Sequence, residues 1–305
     1  MRSRRDRFTL NKARDRGSSE PGSKIAEREG SIMSVATKDV ITISPTMTIK
    51  KAADAMCKHG FRRLPVTDPG TKRLLGIIGS SDIIDFLGGG KKALLIQEKH
   101  KGNFLSAVND SVREIMVTDV RTLDKGATIK DALSVILGSR VGGVVITDAE
   151  KRVAGIASER DFAFLIAGKF AGKKVDGYMT KNVVVATPDM ALGEATRAMV
   201  RNSFRRLPVV TDKELVGMLT TRDIIEFVSE NHIFTKVAGN RMDEILETKV
   251  AEIMKKTVSK VAEDTELGEV AKIIEKSGTG TVCVVTDGEL KGIITERDII
   301  RALLD

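Results

Sequence analysis

The apolar positions of this chain change period in a fixed order, and that order recurs four times. A short run rich in β-branched residues opens each unit, at 40–43, 120–123, 183–186 and 258–261. The spacing then becomes i, i+3, i+4, i+7 with Ile49, Ala52, Ala53 and Met56, which predicts an amphipathic helix. The same face returns as Ile129, Ala132, Leu133 and Ile136, then Leu192, Ala195, Thr196 and Met199, then Leu267, Val270, Ala271 and Ile274. Thr48 is placed to cap the first of these helices and Gly60 to stop it. Two more β-rich runs follow, joined by turn chemistry such as Asp68-Pro69-Gly70 or Asp287-Gly288. Each unit closes on Gly, two apolar or small residues and a polar turn that ends in Asp82, Asp161, Asp223 or Asp298. A second apolar helix is expected from each of these aspartates onward.

The repeating unit is therefore β-α-β-β-α, too small to bury a comfortable core alone. The units are not equivalent. The first and third share Phe-Arg-Arg-Leu-Pro-Val, at 61–66 and 204–209, where the second and fourth carry small residues, Gly142-Gly143 and Gly280-Thr281. This alternation implies duplication of a pair. The reading is a mixed α/β (α+β) chain with a basic tail over 1–30, one module over 31–170 and another over 171–305. The four units fall at about 33–88, 112–168, 175–229 and 250–305. Segments 88–111 and 230–249 are charged, partly helical connections within each pair.

Composition narrows the picture. The chain is 41% hydrophobic but only 4% aromatic and has no Trp, so aliphatic side chains must fill its cores. Few rings also argue against modules that stack RNA bases. The net charge is +8, and much of the excess lies in the first 30 residues, which lack apolar periodicity and read as a disordered arm. Cys57 and Cys283 stand inside apolar patterns and read as small core residues, not as a disulfide. No apolar run reaches membrane-spanning length, so a cytoplasmic location is expected.

The closing motif, Gly155-Ile-Ala-Ser-Glu-Arg-Asp161 or Gly292-Ile-Ile-Thr-Glu-Arg-Asp298, together with Phe-Arg-Arg-Leu-Pro-Val, resembles the CBS domain. Four such units resemble the archaeal four-CBS proteins, which are similar to the γ regulatory subunit of AMP-activated protein kinase. The resemblance implies that the units pair into two Bateman modules whose clefts bind AMP, ADP, ATP or S-adenosylmethionine-type ligands. It implies that Asp82, Asp161, Asp223 and Asp298 accept hydrogen bonds from ribose. Ser158, Thr220 and Thr295 match hydroxyls near ribose or phosphate, and Arg62, Arg63, Arg205 and Arg206 match basic residues that reach phosphates. Ser44 and Thr187, each ahead of a proline, match a further polar contact. Repeat one departs from the pattern, with Gly79 in place of Ser or Thr.

The chemistry also stands on the residues. An aspartate can take both ribose hydroxyls, a strand-to-helix junction suits phosphate, and paired arginines fork onto phosphate oxygens. The competing reading of Ser/Thr-x-x-Asp is a capping box with no ligand, and paired arginines can simply be solvated. Arg160, Arg222 and Arg297 sit at expected helix N-termini, where a cation opposes the dipole and an anion nearby would relieve it. Gly88-Gly89-Gly90-Lys91-Lys92 lacks phosphate-loop spacing and reads as a flexible loop. His59, His100 and His232 are isolated, no metal site is expected, and no nucleophile–base set stands out. The expected function is a non-enzymatic, energy-sensing regulator with adenine nucleotides as ligands, no other cofactor, and a regulated protein or a second copy of the chain as partner. The alternatives are a nucleic-acid protein acting through its tail and a binder of S-adenosylmethionine-type ligands.

Overall fold

The computed structural model describes residues 30–139, 141–166, 172–229 and 241–304. The expected tail and His232 lie outside them. Repeat one contains α1 (Ile49–His59), the hairpin β1 (Arg63–Thr67) and β2 (Leu74–Gly79), and α2 (Ser80–Ile84). Two short helices connect onward, α3 (Leu94–His100) and α4 (Phe104–Val108). Repeat two contains β3 (Thr122–Asp124), α5 (Ile129–Gly138), β4 (Gly143–Thr147), β5 (Val153–Ser158) and α6 (Glu159–Ile166). Repeat three has α7 (Leu192–Arg201), β6 (Arg206–Thr211), β7 (Glu214–Thr220) and α8 (Thr221–Ser229), followed by the connecting α9 (Met242–Leu246). Repeat four has β8 (Lys260–Val261), α10 (Leu267–Ser277), β9 (Thr281–Thr286), β10 (Glu289–Thr295) and α11 (Glu296–Leu304).

Local chemistry places these elements. The Thr48 side chain accepts from the Lys51 amide, and Gly60 ends α1 at φ 67°, a left-handed position that suits glycine. Asp287 and Gly288 both have positive φ, so the β9–β10 connection is the two-residue turn that matches strand twist. The opening runs of repeats two and four pair in parallel with the first hairpin strand, β3 with β4 and β8 with β9. The opening runs of repeats one and three are slighter than expected. Each makes one parallel bridge, Ile43 to Val66 and Ala186 to Val209, because a proline at 45 or 188 follows at once.

The units complete one another. The entry segment of repeat one bridges to its neighbour's hairpin through Thr37 and Ile156, and repeat two returns through Val117 and Ile77. Repeats three and four do the same through Thr180 with Ile293 and Lys255 with Met218. The cores then run across the pairs. One cluster joins Ile49, Leu64, Ile78 and Ile84 of repeat one to Leu192, Leu207, Leu219 and Ile224 of repeat three. Ile300 of repeat four packs among the core of repeat two, and Ala163 of repeat two among that of repeat four. Repeat one thus faces repeat three, and repeat two faces repeat four. At roughly 1.5–3 kcal/mol for each fully buried aliphatic side chain, these shared layers bind the halves together.

The glycine run at 88–90 is not a loose loop. Phe86, Leu87 and Gly89 are buried and the turn lies on α7. A Cβ added at Gly89 would lie 2.5 Å from Val200 Cγ2 and 2.8 Å from the Ile84 carbonyl. The glycines permit close packing between repeats, a use that their basic neighbours disguise in the sequence.

Candidate functional site: a central arginine cluster and two clefts

Where the four units converge, among the described residues, six guanidinium groups gather around two buried glutamates, four of them in direct contact. Glu296, the first residue of α11, accepts from Nη1 and Nη2 of Arg62 at 2.9 Å each and from Arg160 Nε at 2.9 Å. Glu159, the first residue of α6, accepts from Arg205 Nη2 at 2.9 Å and Arg297 Nε at 2.6 Å. Both glutamate side chains are 2% exposed, whereas Arg62, Arg160, Arg205 and Arg297 are 21–24% exposed. Among the described residues, Arg63 and Arg206 reach carbonyl groups alone, Arg63 that of Gly142 at 2.7 Å and Arg206 those of Gly280 at 3.0 Å and Thr279 at 3.1 Å. Arg205 Nη1 and Arg206 Nε are buried with no hydrogen-bond partner.

The cluster is short of negative charge. Burial first, and neighbouring arginines next, push Arg63 and Arg206 down to about 9, so both stay cationic at neutral pH but strained electrostatically. Burial would raise Glu296, but Arg62 and Arg160 outweigh it and hold that carboxyl down at about 2. The positive charge expected to conflict with the helix dipole is relieved inside the chain. Arg160 and Arg297 find the two glutamates, and Arg222 finds Glu226 at 2.6 Å.

Two clefts border the cluster. The larger, of about 280 Å³, is lined by Asp223 and Thr220, by Arg62, Arg160, Arg205, Arg206 and Arg222, and by apolar Met56, Phe61 and Ile225. Lys255, Thr257 and Ser259 from the start of repeat four line its other wall. The smaller, of about 70 Å³, is lined by Asp161, Ser158, Arg62, Arg63 and Arg160, with Thr37, Asp39 and Ile41 from the start of repeat one. Arg62 and Arg160 therefore belong to both clefts.

All four aspartates cap their own helices. One oxygen accepts from the amide of Gly79, Ser158, Thr220 or Thr295 at 2.7–2.9 Å. The hydroxyls of Ser158, Thr220 and Thr295 donate to that same oxygen at 2.6–2.8 Å. The second oxygen differs between repeats. Asp82 Oδ1 takes the Lys92 ammonium at 2.5 Å, which also donates to the Ile115 carbonyl at 2.7 Å. Asp223 Oδ1 takes the Lys255 ammonium at 2.8 Å, from a lysine 60% exposed that also lies 3.5 Å from Glu226. Burial raises Asp298 from its ordinary value, against the lowering effect of its bonds from Thr295.

Ser44 and Thr187 line neither cleft; Ser44 bonds Thr46 at 2.8 Å. The wall that each opening run offers lies a few residues earlier, at Thr37 and Asp39 or Thr257 and Ser259. Glu159 and Glu296 also escaped the sequence reading, although Ser/Thr-Glu-Arg-Asp occurs only in repeats two and four. Repeats one and three have Ser80 and Thr221 at the glutamate position, and these hydroxyls bond each other at 3.2 Å.

Comparison with known proteins agrees with this architecture. The sequence profile of the CBS domain matches residues 32–89, 112–168, 175–230 and 250–305. Protein MJ1225 of Methanocaldococcus jannaschii is 40% identical over 273 residues, covering 88% of this chain and 98% of that protein. Its crystal structure, described as that of a candidate archaeal homologue of γ-AMPK, matches with a TM-score of 0.84 over 89% of this chain and 99% of that one. A 33.4 kDa protein from the ribosomal RNA operon of Thermofilum pendens is 28% identical over 249 residues, 82% of this chain and 83% of its own. A Pyrococcus horikoshii protein, 21% identical with a TM-score of 0.57 over 90% of this chain and 99% of that one, shares the fold. With four matched CBS repeats across most of its length, this chain belongs to the CBS-domain family.

Proposed function

We propose that this chain is a regulatory protein that binds adenine nucleotides between its paired repeats, with their phosphates directed at the central arginines. The observation that carries this reading is the charge of the interior: six guanidinium groups against two glutamates, opening onto clefts that each end at an aspartate. An anion with two or more charges would meet Arg205 and Arg206 in the larger cleft and Arg63 in the smaller. The larger cleft approaches the lower end of small-molecule sites, about 300 Å³. Its Met56, Phe61 and Ile225 offer an apolar wall to a flat base, while Asp223 offers its outer oxygen to ribose once Lys255 swings away. Asp161 and Ser158 line the smaller cleft at the corresponding positions. The likeness to a γ-AMPK homologue supports a regulatory role, in which a protein partner reads the ligand-bound shape.

Nothing in the clefts favours covalent chemistry. Cys57 lines the larger one, but burial pushes its thiol up to about 11. A thermal-shift series with AMP, ADP, ATP, S-adenosylmethionine and adenosine tests the reading. At a hundredfold excess over Kd a single site adds about 2.7 kcal/mol, so phosphate-bearing ligands are expected to raise Tm most. A larger rise with S-adenosylmethionine would reassign the ligand, and no rise with any of the five would refute nucleotide binding.

A further inference from the structure

Glu159 and Glu296 hold the arginines that a phosphate would need. Each carboxylate uses both oxygens, and each pair crosses between repeats. Arg62 of repeat one and Arg160 of repeat two meet Glu296 of repeat four. Arg205 of repeat three and Arg297 of repeat four meet Glu159 of repeat two. Three of these four arginines, Arg62, Arg160 and Arg205, line a cleft. Both glutamates start helices of eight or nine residues, where the dipole favours an anion. They are buried at the seam between the halves, and line neither cleft themselves but stand behind the arginines that do.

Resting on the nucleotide reading above, we infer that Glu159 and Glu296 are internal stand-ins for phosphate, and that they set the specificity of the clefts by ligand charge. A dianionic phosphate meets Arg63 in the smaller cleft, or Arg206 in the larger, first, since neither has a carboxylate to release. It then competes with the glutamates for Arg62, Arg160 and Arg205. A carboxylate left beside a phosphate is repelled by it, so the cross-repeat pairs open as the ligand seats. A neutral nucleoside can fill the same cleft without opening them. Occupancy by a phosphate ester therefore alters the seam between the halves, and occupancy by its dephosphorylated counterpart does not. The closed pairs also lower the apparent affinity for phosphate in proportion to the time they are closed.

The test is isothermal titration of the full chain and of Glu159→Gln, Glu296→Gln and the double variant, with AMP and with adenosine. Removing the competing charge is expected to raise AMP affinity about tenfold, most in the double variant, with adenosine unchanged within about twofold. Should a glutamine variant fail to fold, Glu159→Asp and Glu296→Asp keep the charge on a shorter arm, and a smaller gain in AMP affinity alone is expected. AMP binding by the wild type with equal losses of AMP and adenosine in the variants would overturn the inference and leave the nucleotide reading intact. Binding of neither ligand by wild type and variants alike would overturn both.

Discussion

Glu296 shows how much one buried side chain can hold. Burial alone would favour its neutral form, yet Arg62 and Arg160 keep it ionised down to about 2. A folded value below the unfolded one means that its stabilisation is complete above about pH 5 and is lost as pH falls toward 2. Asp298 acts in the opposite sense, because burial raises it and protonation relieves the folded state. We expect urea titrations to show the wild type losing about 3 kcal/mol from Glu296 between pH 5 and pH 2, a loss missing from Glu296→Gln. That variant should be the less stable of the two at pH 7, since it leaves Arg62 and Arg160 without a counter-charge. The paired arginines allow a second prediction. Changing Arg205 and Arg206 together to Ala should weaken AMP by about 100-fold or more, as charged hydrogen bonds are worth about 1.5–3 kcal/mol each. Adenosine should be nearly unaffected in the same calorimetric titration, and equal loss for both ligands would make the arginines structural.

Among the elements, the strand-to-helix junction repeats most faithfully and varies most in use. Every closing aspartate caps its helix, and a hydroxyl joins it in repeats two, three and four. In repeat one the hydroxyl is missing and Lys92 stands on Asp82 instead. The tight turn after α2 makes this possible by carrying the chain across α7 at Gly89. Gly89→Ala should therefore drive a methyl into Val200 and the Ile84 carbonyl. A loss of about 1–3 kcal/mol is expected, read as a lower urea midpoint with an unchanged slope. Gly138→Ala is the control, for a Cβ there meets nothing within 4 Å. The periodic helices were legible in the sequence because each buries one face. The function of the glycine turn was not, since glycine records only that a side chain is absent, not what lies against it.

For the whole molecule, the shared cores matter more than the chain order. Repeats one and three bury Ile49, Leu64, Leu192 and Leu207 in one cluster, and Ile300 of repeat four is fully buried against repeat two. Neither half keeps its core covered without the other. Calorimetry should record a single unfolding transition with matching calorimetric and van't Hoff enthalpies, and two resolved transitions would show that the halves are independent. Ile300→Ala should lower the stability of that one transition by about 2–5 kcal/mol.

The sequence by itself determined the repeat, its β-α-β-β-α order, the alternation of two kinds of unit and the helix faces. These follow from periodicity, caps and turns, all of which act over a few residues. It also singled out the arginines and aspartates, because their spacing recurs. Only the tertiary structure decided which of them meet. Arg62 and Glu296 are far apart along the chain and touch because two pairs of repeats close face to face. The tertiary structure likewise put Lys92 on Asp82 and Lys255 on Asp223, and placed the walls of the clefts at Thr37 and Thr257 in place of Ser44 and Thr187. Such contacts depend on how units pack across long loops of chain, and no local rule of spacing encodes that distance.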